Sequence, residues 1–271
     1  MKAPFPEFEP EEPDEAEASS GRLRDIPLRM LVPNLITLGA ICSGLTAVRL
    51  AFDGRFEFAV VAIVFAAILD GLDGRMARLL ESSTPFGEQM DSLADFVNFG
   101  VAPAMVLYLY VLNDLHTMGW IVALVFAICG CLRLARFNVM LEAPDRPKWQ
   151  TNFFTGVPAP AGALLALLPV YLGLIGLEKS TSVALLSAMF MLFVAFLMVS
   201  NLPTWSGKQI GGRISRRIVL PLMIGVTLLV IFLFSYPWGF LTTLCVIYLA
   251  TLPFSVREWN KRSEADTKSA E

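Results

Sequence analysis

Long apolar stretches alternate with short polar connections along most of the chain, and each stretch is close to the length of one membrane crossing. An α-helix rises about 1.5 Å per residue, so roughly 20 apolar residues span the hydrocarbon core of a bilayer. The pattern predicts eight spans, at residues 32–52, 57–80, 86–111, 118–138, 157–176, 181–201, 216–234 and 237–256. We therefore expect an all-α fold, a polytopic membrane helical bundle of about eight transmembrane helices without an internal repeat.

The polar segments divide the chain into three parts. Residues 1–21 are rich in Glu, Pro, Ala and Ser, a composition that buries too little apolar surface to fold, so we expect a disordered acidic tail. This segment also lacks the basic region and the apolar core of a signal peptide. Residues 22–256 are expected to form the membrane domain, and residues 257–271 a cytoplasmic C-terminal tail.

Basic residues are distributed unevenly between the two sides of the predicted bundle. Of the 21 Lys and Arg residues, all but Arg49, Arg55 and Lys179 fall on the side that holds both termini. Since positively charged connections stay in the cytoplasm, we expect a multi-pass protein of the inner (cell) membrane with both termini in the cytoplasm. The hydrophobic content of 55% makes the lipid bilayer its expected surrounding, and we expect no nucleic-acid partner.

The cysteines and the single histidine give no sign of a disulfide framework or a zinc site. We interpret the cysteines as small packing residues within predicted spans, and they are Cys42, Cys129, Cys131 and Cys245. His116 lies in a short connection with no second histidine or cysteine near it in the sequence, so we expect a surface loop residue.

Four aspartates, Asp70, Asp73, Asp91 and Asp95, lie where the second predicted span ends and the third begins, on the cytoplasmic side. A carboxylate inside a membrane span is costly unless it meets a partner or a cation, so these acids are candidate site residues. At about 100° per residue, Asp70 and Asp73 share one helix face, and Asp91 and Asp95 stack on the next helix. We expect all four carboxylates to point at one place. Oxygen ligands without histidine or cysteine favour Mg²⁺ or Mn²⁺, with Ca²⁺ as a further option.

Small residues and an arginine accompany the acids. Gly74, Ala77 and Arg78 share the face of Asp70 and Asp73, and Gly87 lies one turn before Asp91. Small side chains leave room for a bulky substrate, although they also serve close helix packing in membranes. Metal-binding carboxylates at a membrane boundary suit phosphoryl transfer on an amphiphilic substrate. The alternative is a divalent-cation transporter or channel, although transporters usually place their ion site near the midplane.

The spacing of these residues is similar to a known signature. It reads Asp70-x-x-Asp73-Gly74-x-x-Ala77-Arg78, then eight residues, then Gly87-x-x-x-Asp91-x-x-x-Asp95. This resembles the signature of the CDP-alcohol phosphotransferase family at every fixed position. Further stretches resemble the bacterial integral-membrane phosphatidylserine synthases of that family, and they are residues 33–39, 91–103, 132–138 and 156–161.

The resemblance implies roles for the residues of the signature. It implies that the four aspartates hold two divalent cations and that Asp95 also acts as the general base. The three small residues and Arg78 would form the pocket for CDP-diacylglycerol, with the arginine supporting the phosphates or the aspartate network. An alcohol would attack the phosphorus that carries diacylglycerol, and CMP would leave. L-Serine is the implied acceptor, with glycerol-3-phosphate, inositol phosphate or choline as alternatives, and a homodimer is left open.

Candidates for the serine pocket come from the third and fourth spans. Arg133 and Arg136 share a helix face, so either suits a bidentate pair with a carboxylate, or else anchors the helix at the interface. Asn98 suits the pocket or a hydrogen bond between helices. Asn138 is a further candidate, in the fourth span or in the loop that follows it.

Two polar residues near the start of the first span complete the set. Asn34 and Thr37 lie one turn apart at the predicted entrance to the site, where they would contact the nucleotide. The alternative is that they only cap and start the helix after Pro33.

Overall fold

The computed structural model describes residues 28–80, 84–141, 153–205 and 216–270, and helices dominate all four stretches. The elements in chain order are α1 (Leu28–Phe52), α2 (Phe56–Leu79), α3 (Pro85–Asp95), a π-helical segment (Phe96–Val101), α4 (Ala102–Tyr110), a 3₁₀ turn (Leu112–Leu115), α5 (Thr117–Leu141), β1 (Phe153–Thr155), α6 (Ala159–Ala166), α7 (Leu168–Ile175), α8 (Thr181–Val199), β2 (Pro203–Trp205), α9 (Arg216–Ser235) and α10 (Pro237–Ala270). Each predicted span coincides with one of these helices or with a run of consecutive ones, which confirms the all-α membrane bundle.

Length and composition identify the helical stretches that can cross a membrane. Within the described residues, five are long and apolar enough, namely Leu31–Phe52, Pro85–Tyr110, Thr117–Met140, Thr181–Val199 and Pro237–Arg262. Two shorter apolar stretches are Ala159–Ile175 and Leu220–Ser235. The 24 residues of α2 are interrupted by charged side chains near its end, which include Asp70, Asp73 and Arg78. The least hydrophobic part of α2 is therefore the part that carries the candidate site.

The first two helices form a closely packed pair that supports the site. A three-residue connection joins α1 to α2, and Gly54 within it has a φ of +73°, a left-handed conformation that glycine adopts without a steric penalty. Within the pair, Ala47, Ala59 and Ile63 are fully buried. The small side chains let the helix backbones approach closely, as is common between helices in membranes.

The third predicted span is a composite of α3, a π-helical segment and α4. Pro103, at the start of α4, has no N–H to donate to the preceding turn, which is where the backbone changes from π to α geometry. A side chain at Gly130 would come within 3.3 Å of Gly100 Cα, so α5 packs directly on the backbone of the π-helical segment. The sequence pattern did not indicate this interruption, which re-orients every residue after Asp95.

Two short strands add an element that the hydrophobic pattern did not predict. β1 pairs antiparallel with β2, with Phe153 opposite Trp205 and Thr155 opposite Pro203. Ser255 of α10 donates a 2.7 Å hydrogen bond to the carbonyl of Pro203. The pair thus connects the segment before α6, the segment after α8 and the C-terminal helix.

The structure places the four cysteines and His116 differently: Cys245 is buried, Cys129 half-buried, and Cys42 and Cys131 are exposed. All four cysteines are free. His116 is exposed between the 3₁₀ turn and α5. The acidic tail predicted for residues 1–21 lies outside the described residues.

Candidate active site

Three aspartates from two helices converge at one end of α2 and α3. Asp70 and Asp73 lie on α2, Asp91 lies on α3, and one carboxylate oxygen from each is within 4.8 Å of the other two. Asp73 is only 3% exposed. Three carboxylates this close repel one another unless a cation lies among them, so the cluster could hold a metal ion.

The fourth aspartate lies beside the cluster and does not join it. The Asp95 carboxyl group is within hydrogen-bonding reach of Asp70, and its Oδ1 is buried with no hydrogen-bond partner in the described part of the chain. We expected four carboxylates to meet at one place. Three of them do, and Asp95 lies one helical turn beyond Asp91. An unpartnered buried oxygen next to a carboxylate cluster fits a further cation ligand.

Helix α1 supports the cluster through Thr37. Its Oγ1 lies 2.8 Å from Asp73 Oδ2 and 3.1 Å from the carbonyl oxygen of Pro33, and its single hydrogen serves one of them at a time. The backbone N–H of Gly74 donates to Asp73 Oδ1 over 2.6 Å. Because α1 already begins at Leu28, the alternative that Asn34 and Thr37 cap the helix is wrong.

A cavity of about 220 Å³ opens beside Asp73 and Asp91. It is lined by Pro33, Asn34, Thr37, Asp73, Gly74, Arg78, Thr84, Gly87, Glu88 and Asp91. The structure therefore brings together all the residues predicted for the nucleotide pocket except Ala77, whose side chain lies outside the described residues. Pro33, Thr84 and Glu88 are lining residues that the sequence analysis missed.

Thr84 could have been found from its position in the sequence. Its hydroxyl accepts a 3.1 Å hydrogen bond from the N–H of Gly87, and Pro85 occupies the first helical position. A threonine followed by proline is a common helix start. A Cβ on Gly87 would lie 3.0 Å from Asn34 Oδ1 and 3.2 Å from Thr84 Oγ1, so this glycine lets α1 and the start of α3 approach.

The cavity wall carries more negative than positive charge. Asp73, Glu88 and Asp91 line it together with one arginine, Arg78, whose Nε donates to the carbonyl of Gly74 over 3.0 Å. A Cβ added to Gly74 would meet no atom within 4 Å, so this face of α2 is open, as the sequence predicted. A polyanionic ligand would be repelled by such a wall unless cations offset the carboxylates.

Arg133 lies deep in the protein near Asp95. It is only 8% exposed, and its Nε donates a 2.7 Å hydrogen bond to the carbonyl of Val157. The guanidinium group is within electrostatic range of the Asp95 carboxyl group. Its two terminal nitrogens have no hydrogen-bond acceptor in the described stretches, so the fork of the guanidinium remains available for a ligand.

Arg136 lies one turn further along α5 and has different partners. Its terminal nitrogens donate to the carbonyls of Thr155, Met198, Val199 and Ser200 and to the side-chain oxygen of Asn201, at 2.6–3.4 Å. The Arg136 guanidinium therefore caps carbonyls at the C-terminal end of α8 and ties β1 to them. The structure therefore separates the two arginines, which the sequence treated as equivalent.

The two candidate asparagines also differ. Asn138 lies within α5, not in the loop, and its Nδ2 donates to Ser92 Oγ over 3.0 Å, next to Asp91. Asn98 is fully buried in the π-helical segment, beside Gly44 of α1, and neither of its amide atoms has a hydrogen-bond partner among the described residues. Ser92 is a neighbour of the site that the sequence analysis did not single out.

Comparison with known proteins agrees with this geometry. The family described as CDP-alcohol phosphatidyltransferase matches residues 30–256, which include all four aspartates and both arginines. The chain belongs to this family. Family membership makes the protein a phosphatidyltransferase-type enzyme and favours catalysis over the cation-transporter alternative.

Curated relatives of this chain occur in several bacteria. The CDP-diacylglycerol--serine O-phosphatidyltransferase of Mycobacterium bovis is 36% identical over 240 residues, which cover 86% of this chain and 80% of that protein. The protein of the same name from Mycobacterium leprae is 35% identical over 231 residues, or 83% of this chain and 74% of the relative. The protein of the same name from Helicobacter pylori is 40% identical over 174 residues, which cover 64% of this chain and 70% of that protein.

Proposed function

We propose that this phosphatidyltransferase moves the phosphatidyl group of CDP-diacylglycerol to the hydroxyl of L-serine, giving phosphatidylserine and CMP. One observation carries the proposal: two members of the three-aspartate cluster, Asp73 and Asp91, line the same cavity as the other residues of the family signature. The names of the relatives support CDP-diacylglycerol as donor and serine as acceptor.

The donor occupies the cavity between α1, α2 and α3. Asn34 and Thr37 contact the nucleotide from α1, the open face at Gly74 and the close approach at Gly87 leave space for it, and Arg78 lies beside its phosphates. The diacylglycerol part extends from this cavity toward the bilayer. The net negative wall explains why the site needs cations before a pyrophosphate can bind.

The aspartates fit two divalent cations, Mg²⁺ or Mn²⁺, with Ca²⁺ as a further option. Asp70, Asp73 and Asp91 would hold them through the converging oxygens, and the unpartnered Oδ1 of Asp95 adds a ligand beside Asp70. Such cations, when bound, offset the charge of the pyrophosphate and of the departing CMP oxygen.

The reaction is a single displacement at phosphorus. The serine hydroxyl oxygen forms a bond to the phosphorus that bears diacylglycerol, the bond from that phosphorus to the CMP oxygen breaks, and the hydroxyl proton passes to Asp95. The described lining of the cavity contains no serine, cysteine or histidine, which favours direct transfer over a covalent phosphatidyl-enzyme.

The acceptor approaches from the side of Arg133. The two free terminal nitrogens of this buried guanidinium suit the serine carboxylate, because a guanidinium fork matches two carboxylate oxygens. Its position near Asp95 brings the serine hydroxyl toward the proposed base. Asn98, with its unpartnered amide, and Asn138, through Ser92, are further pocket residues in this proposal.

The distribution of basic residues supports an inner-membrane protein with its active site on the cytoplasmic face. CDP-diacylglycerol and serine would then meet where the lipid surface borders the cytoplasm.

A purified preparation in lipid vesicles tests the function directly. The full-length protein receives CDP-diacylglycerol, Mg²⁺ or Mn²⁺, and one alcohol at a time from L-serine, glycerol-3-phosphate, inositol phosphate and choline, and CMP release is followed. Serine is expected to support turnover far above the others, with phosphatidylserine as the lipid product. Preference for another alcohol, or CMP release that does not depend on any alcohol, would overturn the serine assignment.

A further inference from the structure

The loop from Thr155 to Val157 is fixed by an unusual number of contacts from distant parts of the chain. Gly156 N donates to the carbonyl of Leu202 over 2.8 Å, and Val157 N to that of Leu197 over 3.2 Å. Thr204 Oγ1 donates to the carbonyl of Gly156 over 2.9 Å. The loop is thus tied to the end of α8 and to β2.

Gly156 shows how tightly this loop is enclosed. Its φ is +77°, which favours glycine, and a Cβ there would lie 2.6 Å from the carbonyl oxygen of Met198 and 2.9 Å from that of Ser200. The same added Cβ would lie 3.0 Å from Arg136 Nη2. Arg136 therefore occupies space that a side chain at position 156 would need, and it is hydrogen-bonded to the carbonyl of Thr155.

Arg136 has no terminal N–H left for a substrate. A guanidinium carries four hydrogens on its terminal nitrogens, and those of Arg136 face five acceptors on α8, β1 and the segment after α8. Binding a carboxylate would break several of these bonds and leave part-buried carbonyls unpaired. Arg133 is in the opposite situation: among the described residues only its Nε donates a hydrogen bond, to the Val157 carbonyl, and its guanidinium lies 5.9 Å from the centroid of the Phe137 ring.

We propose that Arg136 is a positioning residue, which fixes Arg133 for the acceptor through the Thr155–Val157 loop without touching the acceptor itself. The chain of contacts runs from Arg136 to Thr155 O, along the backbone to Val157 O, and from there to Arg133 Nε. Since Val157 O holds one edge of the Arg133 guanidinium, a shift of this carbonyl rotates the free edge that faces the acceptor. The inference rests on the proposed role of Arg133 in serine binding.

Two variants loosen the loop from different sides. Arg136→Lys keeps the charge but offers three N–H groups from one nitrogen, which cannot span the same acceptors. Thr204→Val is nearly isosteric and removes the hydrogen bond from Thr204 Oγ1 to Gly156 O together with the contact between this hydroxyl and the Tyr248 side chain. It remains informative if the lysine variant folds poorly. Both are expected to raise the KM for serine about three- to tenfold while the KM for CDP-diacylglycerol changes less than twofold.

A general loss of stability is separated from positioning by a matched control. Lys179 lies over the rings of Phe56 and Tyr110, 5.0 and 4.0 Å from their centroids, in the connection between α7 and α8. Lys179→Met should lower the thermal stability without changing the KM for serine. If Lys179→Met raises this KM as much as Arg136→Lys does, a purely structural role explains both and the positioning role is refuted.

A double-mutant cycle gives the decisive readout. If Arg136 acts on the acceptor only through Arg133, adding Arg136→Lys or Thr204→Val to Arg133→Ala should not raise the serine KM further. Effects that multiply would overturn the inference while leaving the serine pocket at Arg133 intact. If Arg133→Ala alone leaves the serine KM unchanged, the proposed role of Arg133 in serine binding is wrong, whatever the contacts of Arg136 do.

Discussion

Thr37 on α1 and Asp73 on α2 lie 2.8 Å apart through Oγ1 and Oδ2, and this contact joins the first helix to the aspartate cluster. The hydroxyl orients one carboxylate oxygen while the N–H of Gly74 holds the other. Partners of this kind fix the direction in which a metal ligand points, and their loss typically lowers metal affinity or activity by ten- to a hundredfold. Thr37 thus contacts the three-aspartate cluster although it is not itself an expected metal ligand.

We predict that Thr37→Val raises the Mg²⁺ or Mn²⁺ concentration needed for half-maximal CMP release by about ten- to a hundredfold. Thr37→Ser, which keeps the hydroxyl, should remain close to the parent protein. Thr46→Val is the matched control, because Thr46 lies on the same helix, is exposed, and donates only to the carbonyl of Cys42. An equal effect of both valine variants would show that Thr37 only stabilises α1.

Removing a carboxylate from the cluster should abolish turnover. Asp70→Asn, Asp73→Asn and Asp91→Asn are each expected to lower CMP release by several orders of magnitude, and a chelator should do the same to the parent protein, since each change removes charge from one metal site. Asp53→Asn, at the exposed opposite end of α2, should retain activity. Near-normal turnover of any cluster variant would contradict the metal assignment.

Asp95 should behave differently from the other three aspartates. Asp95→Asn removes the proposed base while the three converging carboxylates remain, so we expect turnover to stop while CDP-diacylglycerol binding partly survives. Equilibrium binding of CDP-diacylglycerol to the variant in the presence of Mn²⁺ measures the difference. If binding and turnover are lost in equal proportion, Asp95 acts as a metal ligand and not as the base.

The acceptor should be sensitive to Arg133. A hydrogen-bonded charge of this kind contributes about 1.5–3 kcal/mol, so Arg133→Ala is expected to raise the KM for serine by about ten- to a hundredfold. Arg133→Lys should recover only part of the loss, because an ammonium group cannot form a two-pronged pair with a carboxylate. Steady-state kinetics with each substrate varied in turn gives both KM values. Equal weakening of the two substrates would indicate a role in phosphate binding instead.

The acidic N-terminal segment should be dispensable for the chemistry. Residues 1–20 precede the family match, which begins at residue 30, and their composition predicts no packed structure. Removing them should leave the specific activity within about threefold, measured per folded protein in vesicles. A much larger loss in a variant that still inserts and folds would assign this segment a function.

The part of the site that the sequence predicted best depends on local geometry. Asp70 and Asp73 are three residues apart and therefore share a face of any α-helix, and the same periodicity brings Gly87 and Asp91 together. The meeting of these two faces follows from a short connection between antiparallel helices. The positions of the cavity residues were predictable for the same reason.

The acceptor side was predicted less well because it depends on contacts between distant residues. The strands at 153–155 and 203–205 are short, and their pairing has no periodic signal in the sequence. Arg136 was interpreted from its spacing to Arg133, yet three of its five acceptors are carbonyl groups more than 60 residues away, at the end of α8. Every residue has a backbone carbonyl whatever its side chain is, so the sequence alone does not show which carbonyls accept these hydrogen bonds.

A change in helix type determines where Asn98 lies. The rule of about 100° per residue does not apply to Asn98, because this residue lies in the π-helical segment, where each residue turns less. Asn98 therefore faces α1 at Gly44. Likewise Asn138 remained within α5 because the helix continues to Leu141, beyond the predicted end of the span.

The contacts of Arg136 also determine when each half of the site can form as the chain is made. Every residue of the donor cavity and the metal cluster lies between Pro33 and Asp95, within three successive helices. The loop that holds Arg133 needs Val199 and Ser200, which leave the ribosome about 60 residues after Arg136 itself. Folding from the N-terminus onward therefore completes the nucleotide half first. A chain that stops before α8 is expected to keep the three-aspartate cluster, while the Thr155–Val157 loop lacks its partners at the end of α8.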